Sequence, residues 1–251
     1  MSTTLVGFAA IVALGLVVEA VAGFGATVVT VALASQLMPI PDVLAAFVPV
    51  NFLLSAYLVV RHYREIDVKV LVVRLLPATA VGVAIGLVLL NGARADWLRI
   101  AFAVFLLVLS ITALRAMRTK SKSGLAALSA WKAHGALLLA GIIHGLFACG
   151  GPLLVYVAER DLPDKGKFRA TMSALWLVFH VVLLASYRAA NTLTISSLRT
   201  SAVLASVLVV AIPLGEWIHK RLSQDRFRVG VYVLLGCAGL VQLARALSDI
   251  G

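Results

Sequence analysis

Two glycine breaks interrupt otherwise apolar stretches of this chain, and an ionisable residue stands just ahead of each. Glu19 precedes Gly23-Phe24-Gly25-Ala26-Thr27, and His144 precedes Cys149-Gly150-Gly151-Pro152. An interrupted helix leaves backbone N–H groups without partners, and in hydrocarbon each must be satisfied by protein, water or ligand. Where a new helix starts directly after the break, its first N–H groups carry about half a positive charge and form a preformed anion site. Two such starts meeting from opposite leaflets would hold an anion without burying a full Lys or Arg charge. Thr27 adds a hydroxyl at the first break. Pro152 suits the first turn of the second helix, since it has no N–H to leave unsatisfied. Gly23, Gly25, Ala26, Thr27, Cys149, Gly150 and Gly151 are therefore the candidate substrate-binding residues. A tightly packed turn with no ligand is the competing reading. Neither break has the GxGxxG pattern or the following Lys-Ser/Thr of a nucleotide loop.

Polar residues inside apolar spans are costly and default to functional candidates. Glu19 and His144 are candidates for carrying a coupling proton, His144 because an unperturbed imidazole titrates near neutrality. Alternatively, Glu19 caps stray backbone groups at the break and His144 bonds a carbonyl. Asn51 and Ser173 occupy corresponding places in the two halves of the chain and either line a cavity or glue helices together. Trp176 and His180 share a helical face at i, i+4, as cavity wall or as aromatic core. His134, beside Lys132, reads as interfacial. No HExxH or acidic metal cluster is present, and Ser173 and His180, seven residues apart, make no case for a nucleophilic dyad. Neither an enzyme, a metal nor a cofactor is expected.

The elements that must position these residues follow from composition. Of 251 residues, 62% are hydrophobic and 13% charged, with a mean hydropathy of +1.04. Soluble domains run near 45–50% apolar and about 25% charged, so a soluble globular or disordered chain is excluded. About 20 apolar residues cross a bilayer as helix, and roughly ten such segments account for most of the length. The expected fold is an all-α polytopic membrane protein. Its full spans are expected at Thr4–Val21, Val43–Val60, Val70–Leu90, Trp97–Leu114, Ala133–Ala148, Arg169–Tyr187, Ile195–Leu214 and Val229–Leu247. Two runs after the glycine breaks, Ala26–Met38 and Pro152–Asp161, are too short to cross and read as half-helices. Ala20-Val21-Ala22 resembles a signal-peptidase site, but the start has no basic region and Glu19 interrupts the run, so the first span is read as uncleaved. The two cysteines, Cys149 and Cys237, stand far apart in apolar surroundings and suggest no disulfide.

The net charge of +11 would suggest nucleic acid in a soluble protein. Here it reads as topology, with no nucleic-acid partner expected. Seventeen Lys and Arg residues fall in loops at 61–74, 115–132, 160–169 and 220–228, against five on the other side. The richer side is expected to be cytoplasmic, and with both short runs turning back, both termini are expected to be periplasmic.

The two halves match when displaced. Gly15 and Gly25 correspond to Gly141 and Gly151, and Pro41-Asp42 corresponds to Pro163-Asp164. In each half a long span, a glycine break, a short helix and a Pro-Asp turn precede three long spans, and each Asp is placed to cap the next helix. Residues 1–120 and 121–251 are thus expected to be two repeats. The charge bias gives them opposite orientation, as in inverted-repeat transporters. The pairs Gly82/Gly86 and Gly141/Gly145 read as helix-packing contacts only.

The stretch Gly141-Ile-Ile-His-Gly-Leu-Phe-Ala-Cys-Gly-Gly-Pro152, followed by Lys167-Phe-Arg-Ala-Thr171, resembles the second-half signature of the sulfite exporter TauE/SafE family. Gly23-Phe-Gly-Ala-Thr27 with Pro39-Ile-Pro-Asp42 is similar to the first-half signature, with Ala26 where the family commonly has glycine. The resemblance implies a permease for sulfite or a small organosulfonate such as sulfoacetate in the bacterial inner membrane. It also draws in Arg169, either to bind the sulfonate in bidentate fashion or to mark the cytoplasmic edge. The expected activity is secondary transport of a small sulfur-containing anion by alternating access, with a proton or sodium as open choices for the coupling ion. The alternatives are an anion channel, a permease for another small carboxylate or inorganic anion, an intramembrane enzyme, or a non-transporting scaffold. A homodimer fits the general preference for twofold assemblies.

Overall fold

The computed structural model describes residues 3–92, 95–119, 128–221 and 224–248. They fold as helices throughout: α1 (Thr3–Ala22), α2 (Ala26–Ala34), α3 (Ile40–His62), α4 (Leu76–Gly92), α5 (Ala95–Thr119), α6 (Ala130–Phe147), α7 (Gly151–Asp161), α8 (Lys165–Ala189), α9 (Ile195–Ala205), α10 (Leu208–Arg221) and α11 (Gln224–Ser248). A 3-10 turn at Tyr63–Glu65 follows α3, and a π-helical stretch at Val70–Leu75 leads into α4. The boundary expected between repeats, at residues 120–121, lies outside the described residues.

Among the described residues, five helices are long and apolar enough to cross a membrane: Thr4–Ala22, Ile40–Glu65, Val70–Leu90, Ala130–Phe147 and Lys165–Ala189. The α9–α10 pair makes a sixth if counted as one span. The described apolar parts of α5 and α11, Ile100–Arg115 and Tyr232–Arg245, are shorter. Large aliphatic side chains face outward, as with Val60 at 76%, Val88 at 72% and Val209 at 77% exposure. Water would penalise such a belt, whereas lipid covers it at no cost.

One expected span is bent, and two local expectations are corrected. The run Ile195–Leu214 is not one straight span, because it bends by 48° between α9 and α10. Pro213 has no N–H for the Val209 carbonyl, and its ring crowds that carbonyl. The turn ahead of it tightens to i→i−3 bonds, from Ser206 N–H to Val203 O through Val210 N–H to Val207 O. The first half-helix stops at Ala34 instead of Met38, which makes it the shorter of the two at 9 residues against 11. Ser35 and Gln36 turn out of the helix to bond Gln242 on α11, at 2.7 and 3.0 Å. The Pro-Asp turns also differ. Asp164 caps α8 by accepting Lys167 N–H at 2.9 Å, whereas Asp42 sits in the first turn of α3 behind an N-cap at Pro39 and caps nothing.

The neighbour pattern links the two halves. α1 packs on α2 and α10, α6 packs on α7 and α4, α3 crosses α8, and α5 lies on α11. The α4–α6 approach is close because glycines interlock there. A Cβ added to Gly82 would lie 2.9 Å from Gly141 Cα, and one added to Gly145 would lie 2.9 Å from Gly86 Cα. That spacing leaves no room for any side chain.

Candidate functional site

At the first break, α1 ends at Ala22 and the chain turns through Gly23 (φ 79°) and Gly25 (φ 103°), a left-handed region that side-chain-bearing residues rarely adopt. The last carbonyls of a broken helix lie in apolar surroundings and need donors. They find them in distant parts of the chain. Ala20 O accepts from Arg169 Nη1 at 3.3 Å, Val21 O from His219 Nδ1 at 2.6 Å, and Gly23 O from Trp176 Nε1 at 2.9 Å. Cationic and imidazole donors also complement the negative end of the helix dipole.

The start of α2 is served by Glu19, in the last turn of α1. Its Oε2 accepts the Ala26 N–H at 3.3 Å and Asn51 Nδ2 at 3.2 Å. Asn51, on α3, also reaches Thr27 Oγ1 at 3.4 Å and His180 Nε2 at 3.3 Å. Ser55, one turn further along α3, approaches His180 Nδ1 at 3.4 Å.

The second break is built differently. Ala148 takes the left-handed conformation (φ 53°) and closes α6 through its N–H to His144 O at 2.7 Å. Gly150 is in ordinary helical conformation and is small for packing, because a Cβ there would lie 2.9 Å from that of His144. α7 begins at Gly151 with Pro152 in its first turn.

Both breaks open onto one cavity. Glu19, Gly25, Thr27, Val28, Asn51, His144, Ala148, Gly151, Trp176 and His180 line it. About 10 Å³ of it is open to the centre of a water molecule, which is room for roughly one. His144 stacks on Trp176 (5.5 Å between centroids, 19° between planes) and lies 6.4 Å from His180. Glu19, Asn51, His144 and His180 are all buried. Glu19 Oε1, Asn51 Oδ1 and both ring nitrogens of His144 nevertheless have no hydrogen-bond partner among the described residues. Buried polar atoms are almost always paired, so four orphans around one cavity make it the candidate site for a polar ligand.

Of the sequence-derived candidates, Glu19, Gly25, Thr27, Asn51, His144, Gly151 and Trp176 meet at this cavity, and Ala26 contributes its N–H to Glu19. Gly23 stands behind the wall as acceptor for Trp176. Cys149 and Gly150 are buried but do not line the cavity. Ser173 turns its hydroxyl to Arg169 O at 2.8 Å, along its own helix. Arg169 lies outside the cavity, held by Ala20 O and by His62 Nε2 at 2.7 Å. His180, placed by sequence only as wall or core, belongs to the cavity, and its i+4 relation to Trp176 was the signal. Ser55 and the strained Ala148 carried no comparable signal.

A family model described as Sulfite exporter TauE/SafE matches residues 7–241. Over 169 residues the chain is 27% identical to the probable inner membrane transporter protein TsaS of Comamonas testosteroni, a match covering 66% of this chain and 68% of that protein. No solved structure matches.

Proposed function

We propose that this chain, which belongs to the sulfite exporter TauE/SafE family, is a secondary transporter moving a small sulfur-containing anion, sulfite or a short organosulfonate, across the bacterial inner membrane. One observation carries the reading. The first residues of both half-helices reach a single buried cavity ringed by unpartnered polar atoms. Backbone N–H groups at the two starts, with Asn51 and Thr27, would supply donors to sulfonate or sulfite oxygens.

The cavity is too small for a four-atom anion as it stands, so the anion must enter and leave by conformational change. A continuously open pore is disfavoured for the same reason. Alternating access would move α1–α2 and α6–α7 against the rest, opening one side at a time. The bonds from Trp176 to Gly23 O and from Arg169 to Ala20 O tie the halves in the closed arrangement. Opposed orientation of the halves, argued from glycine spacing and loop charge, would make the two openings mirror one another across the membrane.

Proteoliposome flux tests the reading. The purified protein should move sulfite or sulfoacetate in a saturable, gradient-responsive way, and Gly150→Leu, which drives a side chain into α6, should abolish it. Absence of flux for both anions would contradict the proposal, and fast flux insensitive to ion gradients would favour a channel.

A further inference from the structure

Among the described residues, Glu19 is the only Asp, Glu, Lys or Arg lining the cavity. Arg169, the one buried Lys or Arg among the described residues, is engaged with Ala20 O and His62 instead. A carboxylate therefore already occupies the position that the dipole of α2 offers to an anion, because Glu19 Oε2 takes the Ala26 N–H at 3.3 Å. A substrate anion arriving there meets a like charge at hydrogen-bonding distance in a space shielded from water, where repulsion is strong.

We infer that Glu19 is a resident competitor for the substrate at the start of α2, and that each anion bound brings one proton onto its carboxylate. The inference rests on the anion-transport reading and names its coupling ion. Protonated, Glu19 stops repelling and becomes a donor, since a carboxylic acid carries one O–H and keeps acceptor capacity on the other oxygen. The Ala26 N–H is released to the substrate, and the competitor becomes a ligand. The proton comes from the side on which the anion arrives and leaves with it on the other side.

The surroundings of Glu19 leave few other proton acceptors. From α2 and α3 it faces neutral groups only, namely the Ala26 N–H, Thr27, Asn51 and Ser55. Across the cavity stand His144 on α6 and His180 on α8. Arg169, and Glu216 and His219 from α10, gather at the end of α1 outside the lining. Sodium is a poorer match. A hard cation wants a cage of oxygens, and the unpartnered atoms here are two oxygens, Glu19 Oε1 and Asn51 Oδ1, beside imidazole nitrogens.

Sulfoacetate is the probe, because both of its acidic groups stay ionised through the neutral range. Its affinity for the purified protein is measured against pH, and its uptake is measured in sodium-free proteoliposomes with a pH dye inside and the membrane potential clamped. For wild type, Kd should rise about tenfold per pH unit once Glu19 is ionised in the free protein and level off at lower pH, and the lumen should acidify by one proton per anion taken up. In Glu19→Gln, which keeps an acceptor for Ala26, Kd should lose this slope. Uptake without acidification, or a slope that survives in Glu19→Gln but vanishes in His144→Gln or His180→Gln, overturns the inference while leaving anion transport standing. No flux at all in wild type overturns the transport reading and this inference together. Should the glutamine variant fail to fold, His144→Gln and His180→Gln decide: a slope kept in both supports the inference, and a slope lost in either overturns it.

Discussion

Trp176, in the second half of the chain, donates its indole N–H to Gly23 O in the first-half break at 2.9 Å. One face of the same ring stacks on His144 from the second-half break. A single side chain thus joins both interrupted helices at the cavity. Trp176→Phe keeps an aromatic face but leaves the buried Gly23 carbonyl without its donor, a loss of about 1–3 kcal/mol. The expected outcome is a lower unfolding temperature in detergent together with slower anion flux. An unchanged melting temperature would remove the indole bond from the account.

Asn51 is the hub between Glu19, Thr27 and His180. Asn51→Ala removes the amide donor offered to the anion, worth about 1.5–3 kcal/mol for a hydrogen bond to a charged group. Anion affinity, read by titration of sulfoacetate, should fall by about tenfold or more. Asn51→Asp should be worse, since it places a second carboxylate at the cavity.

Arg169 separates two roles. It lies outside the cavity and holds the end of α1, so Arg169→Lys should cost stability and transport rate through the lost Ala20 and His62 contacts. Sulfoacetate Kd should stay within about threefold of wild type, well under the tenfold that 1.4 kcal/mol represents. A large loss of affinity with normal stability would instead mean that the guanidinium touches the anion at another stage of the cycle.

The glycine contacts between α4 and α6 predict a sharp contrast. Gly141→Val drives a branched side chain into the Thr79 carbonyl and Gly82 of α4 and should abolish folded protein. Gly230→Ala, on α11 with no described residue within 4 Å of its added Cβ, should be tolerated. It should even gain a few tenths of a kcal/mol of helix propensity. Monodispersity of the purified protein in detergent is the readout.

Much of this arrangement is legible in the sequence for physical reasons. The half-helices are visible because glycine permits the left-handed turn at Gly23 and Gly25, and because the runs that follow are too short to cross lipid. Glu19 and His144 stand out because ionisable groups are costly in an apolar span. Two of the misses share a cause, which is that they depend on partners remote in sequence. Leu37 and Met38 look like a continuing helix until Gln242 draws Ser35 and Gln36 aside. The bend at Ser206-Val207 hides in an apolar run, with its cause at Pro213 more than a turn downstream. Arg169 sits one turn before Ser173, yet its long side chain reaches the end of α1 instead of the cavity, a direction that spacing alone does not set.

In the proposed transporter the anion is held between the starts of α2 and α7. The most direct measurement is a crystal structure of the protein soaked with selenite, the pyramidal selenium counterpart of sulfite, located by its anomalous signal. A selenium peak is expected within hydrogen-bonding reach of Ala26 N–H, Asn51 and the first turn of α7. A fully occupied peak beside Arg169 and His62, with the Glu19 cavity unchanged, would contradict that placement.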